Sequence, residues 1–193
     1  MPYPSTASLD TFDRADAADL GAAWTGSLWS GETIPEINAN TAYANGGARS
    51  AYWNAGTFPE DQEAWIVSNG NRALIDLRVT NPGGSLTCYE ADFNTTTWSL
   101  NRIVAGSGTG AVASGSFTNA AGDVLGVTLI GTLFYVFQNG SVLASGSDPS
   151  PVLGAGYLGF EILTAARIRE YGGGEITHPA APTVRVVSTA LRS

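Results

Sequence analysis

The sequence has no lysine, a single cysteine, a single histidine and few charged residues, and each shortage excludes a class of function. All nine basic residues are arginines, while seventeen acidic residues bring the net charge to −8. A chain without basic clusters lacks an electrostatic surface for a phosphate backbone or an anionic membrane, so we expect neither nucleic-acid nor membrane binding. The lone Cys88 excludes an internal disulfide and a cysteine zinc site. The lone His178 excludes most histidine-based catalysis and metal binding.

Long apolar segments are also missing. No run approaches the roughly 18 residues needed to cross a bilayer. Residues 1–8 (MPYPSTAS) lack the basic and apolar regions of a signal peptide, so no export signal is expected. Helical periodicity is limited to a turn or two around residues 15–20. In place of these features the chain has 24 glycines and is rich in serine, threonine and asparagine. Its surface is therefore expected to be mostly neutral and polar.

Short apolar runs alternate with Gly, Asn and Asp between residues 9 and 171, and this pattern predicts an all-β domain of the sandwich or barrel type. The alternation is clearest in residues 73–80, where Ile75, Leu77 and Val79 are expected to share one face of a strand. A strong turn signal, Asn-Pro-Gly-Gly, follows that strand. Further strands are predicted at residues 87–94, 98–104, 124–130, 133–138, 141–145, 157–163 and 165–171.

Residues 172–174 are three consecutive glycines, and because glycine loses the most conformational freedom on folding, this run predicts the end of the domain. The chain is divided accordingly into an N-terminal arm (residues 1–8), a domain (residues 9–174) and an extended C-terminal arm (residues 175–193). The C-terminal arm is expected to add a strand to an exposed sheet edge. That edge belongs to a partner protein, which we favour, or to the chain's own domain. The β-prone residues expected to pair there are Thr183, Val184, Arg185, Val186 and Val187.

Three segments carry motifs of a known superfamily. Residues 9–24 contain LDTFDRAD and LGAAW, residues 122–140 run from GDV to QNG, and residues 156–174 begin with GYLGF and end with YGGG. These motifs resemble the opening, a hairpin and the closing strands of concanavalin A-like (laminin-G-like) jelly-roll domains. The resemblance spans residues 9–174 and consists mostly of turns and core aromatics. It implies two antiparallel sheets packed face to face as a jelly roll, with extended N- and C-terminal arms.

The same resemblance implies a function. Domains with this opening are frequent in virion proteins of tailed bacteriophages, especially those of actinobacterial hosts. The use of arginine for all nine basic residues fits the GC-rich coding bias of such hosts. The implied role is a non-enzymatic structural protein, attached to capsid (as decoration) or tail through its terminal arms. Expected partners are other virion proteins and copies of this chain. The expected location is the virion surface, which is extracellular after lysis and is reached without a signal peptide.

A carbohydrate-binding module, or a receptor-binding head that recognises cell-surface glycans, is the alternative function. Its basis is a group of aromatic residues in a region rich in Gly, Asn and Ser, because rings with a polar tip suit half-solvated contacts. Core packing or contact with a protein partner is the competing use for such rings, and Phe12, Trp24 and Trp65 are expected in the core. The candidate glycan or partner contacts are Trp29, Tyr43, Tyr52 and Trp53.

Residues 90–94 (EADFN) resemble in part the E-x-D-x-E signature of family 16 glycoside hydrolases, which share the jelly-roll fold. Glu90 and Asp92 point to the same side of the predicted strand, about 6.6 Å apart along it. The third position holds Asn94, and an amide cannot supply the proton that retaining hydrolysis requires. We therefore expect a solvated polar face here, with no catalytic residues, no enzymatic activity and no cofactor.

Four aspartates near the N-terminus suggest a cation site at first sight. An EF-hand loop needs oxygen ligands at alternate positions, a central glycine and a terminal glutamate. The alternate positions after the first aspartate hold Phe12 and Arg14, so the pattern fails. Turn formation by short acidic side chains is the expected role. No metal site is predicted, although a calcium site assembled from distant loops stays open. The four residues are Asp10, Asp13, Asp16 and Asp19.

Overall fold

The structure is a computed structural model and describes residues 3–177 of the chain. Within that range the chain forms strands, turns and bends, and no helix there is long and apolar enough to cross a membrane. Residues 15–20, the predicted helical turn, form bends and an isolated bridge instead. His178 and the predicted pairing residues 183–187 of the C-terminal arm lie outside the described residues.

Fifteen strands are present in residues 3–177, and they include every strand predicted from the sequence, with ends moved by a few residues. The strands are β1 (Ser8–Asp10), β2 (Trp24–Thr25), β3 (Glu36–Ile37), β4 (Ala42–Tyr43), β5 (Arg49–Trp53), β6 (Gln62–Asn69), β7 (Ala73–Thr80), β8 (Thr87–Phe93), β9 (Thr97–Val104), β10 (Ser107–Ser116), β11 (Ala121–Ile130), β12 (Leu133–Gln138), β13 (Ser141–Ser147), β14 (Tyr157–Ile162) and β15 (Arg167–Glu175).

These strands form two sheets. The eight-stranded sheet has the order β13-β12-β11-β6-β15-β4-β3, with β1 added to β15. The seven-stranded sheet has the order β10-β9-β8-β7-β14-β5-β2. Paired strands are antiparallel throughout both sheets. The predicted all-β, two-sheet antiparallel sandwich is therefore confirmed.

The main core lies between the sheets and is built from alternate residues of each strand. Ala91 and Phe93 of β8 belong to the same buried cluster as Val127 and Leu129 of β11, although these strands are in different sheets. Successive side chains of a strand point to opposite faces. The residues between these core positions therefore lie on the outer faces of the sandwich.

Aromatic rings fill the centre of this core. The Trp24 ring lies 5.0 Å from the Phe160 ring and 5.3 Å from the Tyr171 ring, in edge-to-face contacts. Phe12 packs 5.9 Å from Trp24. Such pairs add roughly 0.5–1.5 kcal/mol each beyond the area that they bury. The core roles predicted for Phe12 and Trp24 are confirmed.

Trp65 is buried, but on the outer face of the eight-stranded sheet. Its strand neighbours Ala64 and Ile66 belong to the core cluster, so the Trp65 indole points the other way. The expectation that Trp65 is buried is confirmed, but its ring lies outside the main cluster between the sheets. Its ring lies instead across the neighbouring strand, where Gly172 pairs with it.

The glycine run of β15 continues this strand rather than ending it. A Cβ at Gly172 would lie 2.1 Å from Cε2 of Trp65, and a Cβ at Gly173 would lie 2.6 Å from Cδ1 of Leu158. These positions have no room for a side chain, so glycine is what allows the strand to pass between its neighbours. The strand predicted to end at residue 171 therefore extends to Glu175.

A bulge in β7 changes which way its last residues point. The register of β7 against β8 shifts between Leu77 and Thr80, and Arg78 has a φ of 53°, in the left-handed region. The Arg78 guanidinium donates to the backbone carbonyls of residues 60, 131 and 152. Val79 consequently joins a second buried cluster, apart from the main core. The prediction that Val79 shares a face with Ile75 and Leu77 is wrong for this reason.

The first described residues pack against the outer face of the eight-stranded sheet. The fully buried carboxylate of Glu63 accepts hydrogen bonds from the backbone N–H groups of Ser5 (2.6 Å) and Thr6 (2.8 Å). The Tyr3 ring stacks on the Phe137 ring at 4.9 Å. Within residues 3–177, no terminal segment packs on the outer face of the seven-stranded sheet, and the side chains of that face form the site described next.

Candidate functional site

The site is built on the outer face of the seven-stranded sheet, and its first two members are on β8. Tyr89, Ala91 and Phe93 of this strand point into the core. Glu90 and Asp92 therefore point outward on the same face, as the sequence predicts. Both are half-buried.

A third carboxyl group faces Glu90 across the sheet. Asp76 of β7 pairs directly with Glu90, and side chains in such a pair have Cβ atoms about 5 Å apart. Asp76 is fully buried. Its Oδ1 accepts a hydrogen bond from Sγ of Cys88 at 3.5 Å, whereas its Oδ2 has no hydrogen-bond partner among the described residues. Burial, followed by the negative charges of Glu90 and Glu161, raises the pKa of Asp76 well above its usual range.

A fourth carboxyl group comes from β14. Glu161 points outward because Phe160 and Ile162 on either side of it are core residues. It pairs with Leu74 of β7, which pairs in turn with Asp92. Burial, with the charges of nearby acidic residues, raises the pKa of Glu161 to about 8. Desolvation disfavours the charged form of a carboxyl group, so Glu161 holds its proton at neutral pH.

The guanidinium group of Arg72 forms an ion pair with one of these acidic residues. Arg72 donates from Nε to one oxygen of Asp92 (2.9 Å) and from Nη2 to the other (2.7 Å). The pKa of Arg72 is raised, chiefly by this hydrogen bonding. No group of three or more His, Cys, Asp and Glu side chains within residues 3–177 is arranged to hold a metal ion. We call the following set of residues the acidic face: Glu32, Arg72, Asp76, Glu90, Asp92 and Glu161.

Residues 26–33 form a loop that closes over the centre of the acidic face. The Leu28 side chain packs on Gly159, where a Cβ would lie 3.1 Å from Leu28 Cδ1. Gly159 pairs with Asp76, so Leu28 lies over the position next to that carboxyl group. The loop is held by the Leu28 N–H, which donates to Oγ of Ser50 at 2.9 Å, while Ser50 donates to Glu32. The fully buried Leu28 explains why Asp76 is excluded from solvent.

An aromatic border adjoins the acidic face. Trp29, Tyr52 and Tyr157 are half-buried and pack against the second cluster, which lies on the same outer face. The rings of Tyr52 and Tyr157 are 5.0 Å apart. We call these three residues the aromatic border. The buried members of the second cluster are Leu28, Val79, Leu86, Cys88 and Ile103.

The four predicted contact residues do not form one group. Trp29 and Tyr52 are brought together in the aromatic border, and Tyr157 joins them although the sequence did not single it out. Trp53 packs edge-on against Trp24 at 5.3 Å, beside the main core. Tyr43 lies on β4 of the other sheet, where the Arg167 guanidinium lies 3.9 Å from its ring centroid.

Neutral polar groups extend the face beyond Asp92. Ser99 and Asn101 of β9 pair with Asp92 and Glu90, and the Asn101 amide donates to Ser99 at 3.1 Å. A cleft of about 410 Å³ opens there, and its lining includes Asp92, Asn94 and Ser99. The face thus offers carboxyl, amide and hydroxyl groups in neighbouring positions.

Asp76, Glu161 and Glu32 are functional candidates that sequence reasoning missed. Each is an isolated acidic residue in the sequence. Strand pairing brings Asp76 and Glu161 to Glu90 and Asp92, whereas Glu32 is brought there by the loop at residues 26–33, through Ser50. A weak signal exists for two of them: Ile-Asp-Leu and Phe-Glu-Ile place a single acid between buried apolar residues. An acidic residue on the outer face of a strand is normally exposed to solvent, so the sequence gives no sign that Asp76 and Glu161 are buried. Their burial becomes visible only in the packed structure.

Solved structures with the same fold include sugar-binding proteins and a glycosidase. The carbohydrate-binding module CBM66 from Bacillus subtilis has a TM-score of 0.53 and 12% identity, and the match covers 83% of this chain and 98% of that chain. The exoplasmic/lumenal domain of VIP36, bound to Ca²⁺ and Man3GlcNAc, has a TM-score of 0.58 and 12% identity, covering 83% and 86%. A β-1,3-1,4-glucanase (lichenase) from a mouse hindgut metagenome has a TM-score of 0.57 and 11% identity, covering 86% and 98%.

These similarities establish the fold as a concanavalin A-like jelly roll, as the sequence resemblance implied. At such identities they show the fold alone. No protein-family model matches the sequence, and no curated protein matches it.

Proposed function

We propose that the outer face of the seven-stranded sheet binds a carbohydrate. The observation that carries this proposal is the aromatic border beside the acidic face, where half-exposed rings adjoin carboxyl, amide and hydroxyl groups. Sugars present apolar C–H faces and a rim of hydroxyls, so a site for them combines aromatic rings with a few well-placed polar groups. Two proteins that share this fold, a carbohydrate-binding module and a domain bound to Man3GlcNAc, support the proposal.

The proposal is tested by a glycan array followed by calorimetric titration of any glycan retained. Trp29→Ala is expected to weaken binding at least about tenfold, which corresponds to roughly 1.4 kcal/mol and is within the range of one lost aromatic contact. Tyr43→Ala is the matched control, because Tyr43 is a half-buried aromatic residue on the other sheet. Equal affinities for the wild type and the Trp29 variant, or an empty array, would contradict the proposal.

Glycoside hydrolysis is a second candidate, favoured by the environment of Glu161. A general acid must hold its proton at the working pH, and Glu161, whose pKa is raised to about 8, does so. Asp92 lies two strand spacings away, about 10 Å between backbones, and inverting glycosidases use carboxyl groups separated by a similar distance. A reducing-sugar assay on β-glucans tests this candidate. Product that disappears in Glu161→Gln supports it, and no product from the wild type refutes it.

The virion role implied by the sequence resemblance stays a prediction. It comprises attachment to capsid or tail through the terminal arms, virion proteins as partners and a location on the virion surface. Mass spectrometry of purified particles tests it directly. A truncation that tests the C-terminal arm should begin at residue 178, because Ile176 is buried and its N–H donates to the Asp61 carbonyl at 3.0 Å. The truncated chain should fold and fail to enter particles.

A further inference from the structure

The acidic face has more carboxyl groups than its own cation can balance. Among the described residues, five acidic residues on one sheet face and its covering loop adjoin one guanidinium group, that of Arg72. This group is already bound to Asp92 through both carboxylate oxygens. The charges of Glu32 and Glu90 each raise the pKa of Glu161, and the charges of Glu90 and Glu161 raise that of Asp76. Like charges placed opposite each other in a sheet are destabilising. Within residues 3–177, the carboxyl groups of this face therefore outnumber the cationic groups beside them.

A buried carboxylate oxygen at the centre of the acidic face also indicates a shortage of hydrogen-bond donors and positive charge. Oδ2 of Asp76 is buried without a hydrogen-bond partner among the described residues, although Asp76 lies opposite Glu90 in the middle of the acidic face. Buried polar groups are nearly always paired, and each exception requires an explanation. Proton uptake neutralises the charge of this carboxyl group but leaves its acceptor capacity unused. A ligand with N–H or O–H donors that displaces Leu28 would supply the missing partner.

The spacing of the acids decides between two kinds of cation. Glu161 and Asp92 are separated by Leu74 of β7, which places their backbones about 10 Å apart. A calcium or magnesium ion holds its oxygen ligands at roughly 2.0–2.6 Å, and no group of three or more acidic side chains within residues 3–177 converges in this way. An organic chain with cationic groups along its length matches acids spread over the face. Each ammonium group carries three N–H donors.

The aromatic border favours a cation on a sugar over a simple polyamine. Rings such as Trp29 and Tyr52 stack on sugar faces, and the same rings attract cations through their π-systems. A sugar ring with an amino substituent uses both interactions, together with the hydroxyl and amide groups of Ser99 and Asn101. An anionic sugar would be repelled by the acidic face, and a neutral sugar would leave its charge uncompensated.

We propose that the carbohydrate bound at this face carries free amino groups, as in an oligomer of 2-amino-2-deoxyhexose. This inference rests on the proposed function, because it names the class of sugar for the same site. An ammonium group beside Glu161 lowers the pKa of that carboxyl group, so binding releases its proton. The amino groups then pair with the carboxylates of Glu161, Glu90 and Asp92, and the sugar rings stack on the aromatic border.

The experiment compares two hexamers with the same backbone by calorimetric titration at pH 6.5: β-1,4-linked glucosamine and its fully N-acetylated form. The amino form is expected to bind at least tenfold more tightly, and to lose affinity as salt is raised, since ion pairs are screened. Glu161→Gln is expected to reduce binding of the amino form at least about fivefold. Glu175→Gln is the matched control, because it removes the same charge from an exposed position on the other sheet. Melting curves confirm that both variants fold.

Four outcomes are distinguishable. Preference for the amino form, lost in Glu161→Gln and kept in Glu175→Gln, supports the inference. Equal losses in both variants would show attraction to net charge alone and would overturn it. Tighter binding of the acetylated form or of a neutral glucan, abolished by Trp29→Ala, would overturn the inference while the proposed function stands. Absence of binding to the hexamers and to every glycan on an array would overturn both.

Discussion

Asp76 and Glu90 lie directly opposite each other on adjacent strands, both on the outer face of the seven-stranded sheet. Two carboxyl groups so placed cannot both ionise without mutual repulsion, and here one of them is also fully buried. Burial raises the pKa of both groups, so each loses its charge at a higher pH than a solvated carboxyl group does. A group whose pKa is raised by folding holds its proton in the folded state after the unfolded state has released it, so the free energy of unfolding falls as the pH rises. The pH dependence of stability therefore reports on the acidic face.

Stability should decline between pH 5 and pH 8, and Glu161 should account for much of the decline. Its pKa is about 8 in the folded protein and about 4.5 when unfolded, so between these values only the folded state holds the proton. The unfolded state then binds fewer protons, and stability falls as pH rises, by up to about 1.4 kcal/mol per pH unit. Glu161→Gln should match the wild type near pH 5 and exceed it by roughly 2–4 kcal/mol at pH 8.

Urea unfolding at the two pH values checks this prediction, with Glu175→Gln as the control that should follow the wild type at both. A Glu161 variant whose advantage is the same at pH 5 and pH 8 would show that this carboxyl group does not hold a proton in the folded state.

Leu28→Ala should destabilise the protein by about 2–4 kcal/mol, because Leu28 is fully buried on Gly159 and its removal leaves a cavity. The cavity adjoins Asp76, so water should reach that carboxyl group and lower its pKa toward the usual range. Thermal unfolding measures the loss. Leu153→Ala is the control, since Leu153 is 54% exposed and its truncation should change stability by less than about 0.5 kcal/mol. Equal effects in the two variants would mean that the loop does not seal the face.

The face to which each side chain of a strand points could be predicted from the sequence, whereas the residues that lie opposite each other on neighbouring strands could not. Alternation placed Glu90 and Asp92 outward and Tyr89, Ala91 and Phe93 inward, and the structure agrees. The pairing of Glu90 with Asp76 depends on the register of β7 against β8, and the position of Glu161 depends on β14, which is distant in the chain. Strands β7 and β14 each carry a single acid, which gives no pattern to read. The loop at residues 26–33 has no periodic signal, so neither the burial of Asp76 nor the packing of Trp29 and Tyr52 against the same buried cluster could be foreseen.

The glycine run shows a second limit of sequence reasoning. The flexibility of glycine led to the prediction that the strand ends at this run. In the structure, β15 continues through the run, because the Trp65 ring leaves no room for a side chain at Gly172. The bulge at Arg78 is a third limit, because a non-glycine residue at positive φ has no signature in an alternating pattern.

Gly172→Ala should be severely destabilising. Its Cβ would lie 2.1 Å from Cε2 of Trp65, a ring that is buried and cannot move aside without displacing the strand. The expected loss exceeds about 3 kcal/mol, at the upper end of overpacking effects. Gly47→Ala is the control, because a Cβ there meets nothing within 4 Å. Soluble expression and thermal unfolding compare the two. A Gly172 variant as stable as the control would disprove the close approach of β15 to Trp65.

Carbohydrate binding on the outer face of the seven-stranded sheet is tested most directly by NMR, through mapping of amide and indole N–H chemical-shift changes. The glucosamine hexamer, or the glycan retained most strongly on an array, is titrated into labelled protein. The largest shifts are expected at Trp29, Tyr52, Tyr157 and the outward residues of β8 and β9, with little change at Tyr43 and Arg167 on the other sheet. Shifts concentrated around Tyr43 and Arg167, or none at saturating glycan, would contradict the claim.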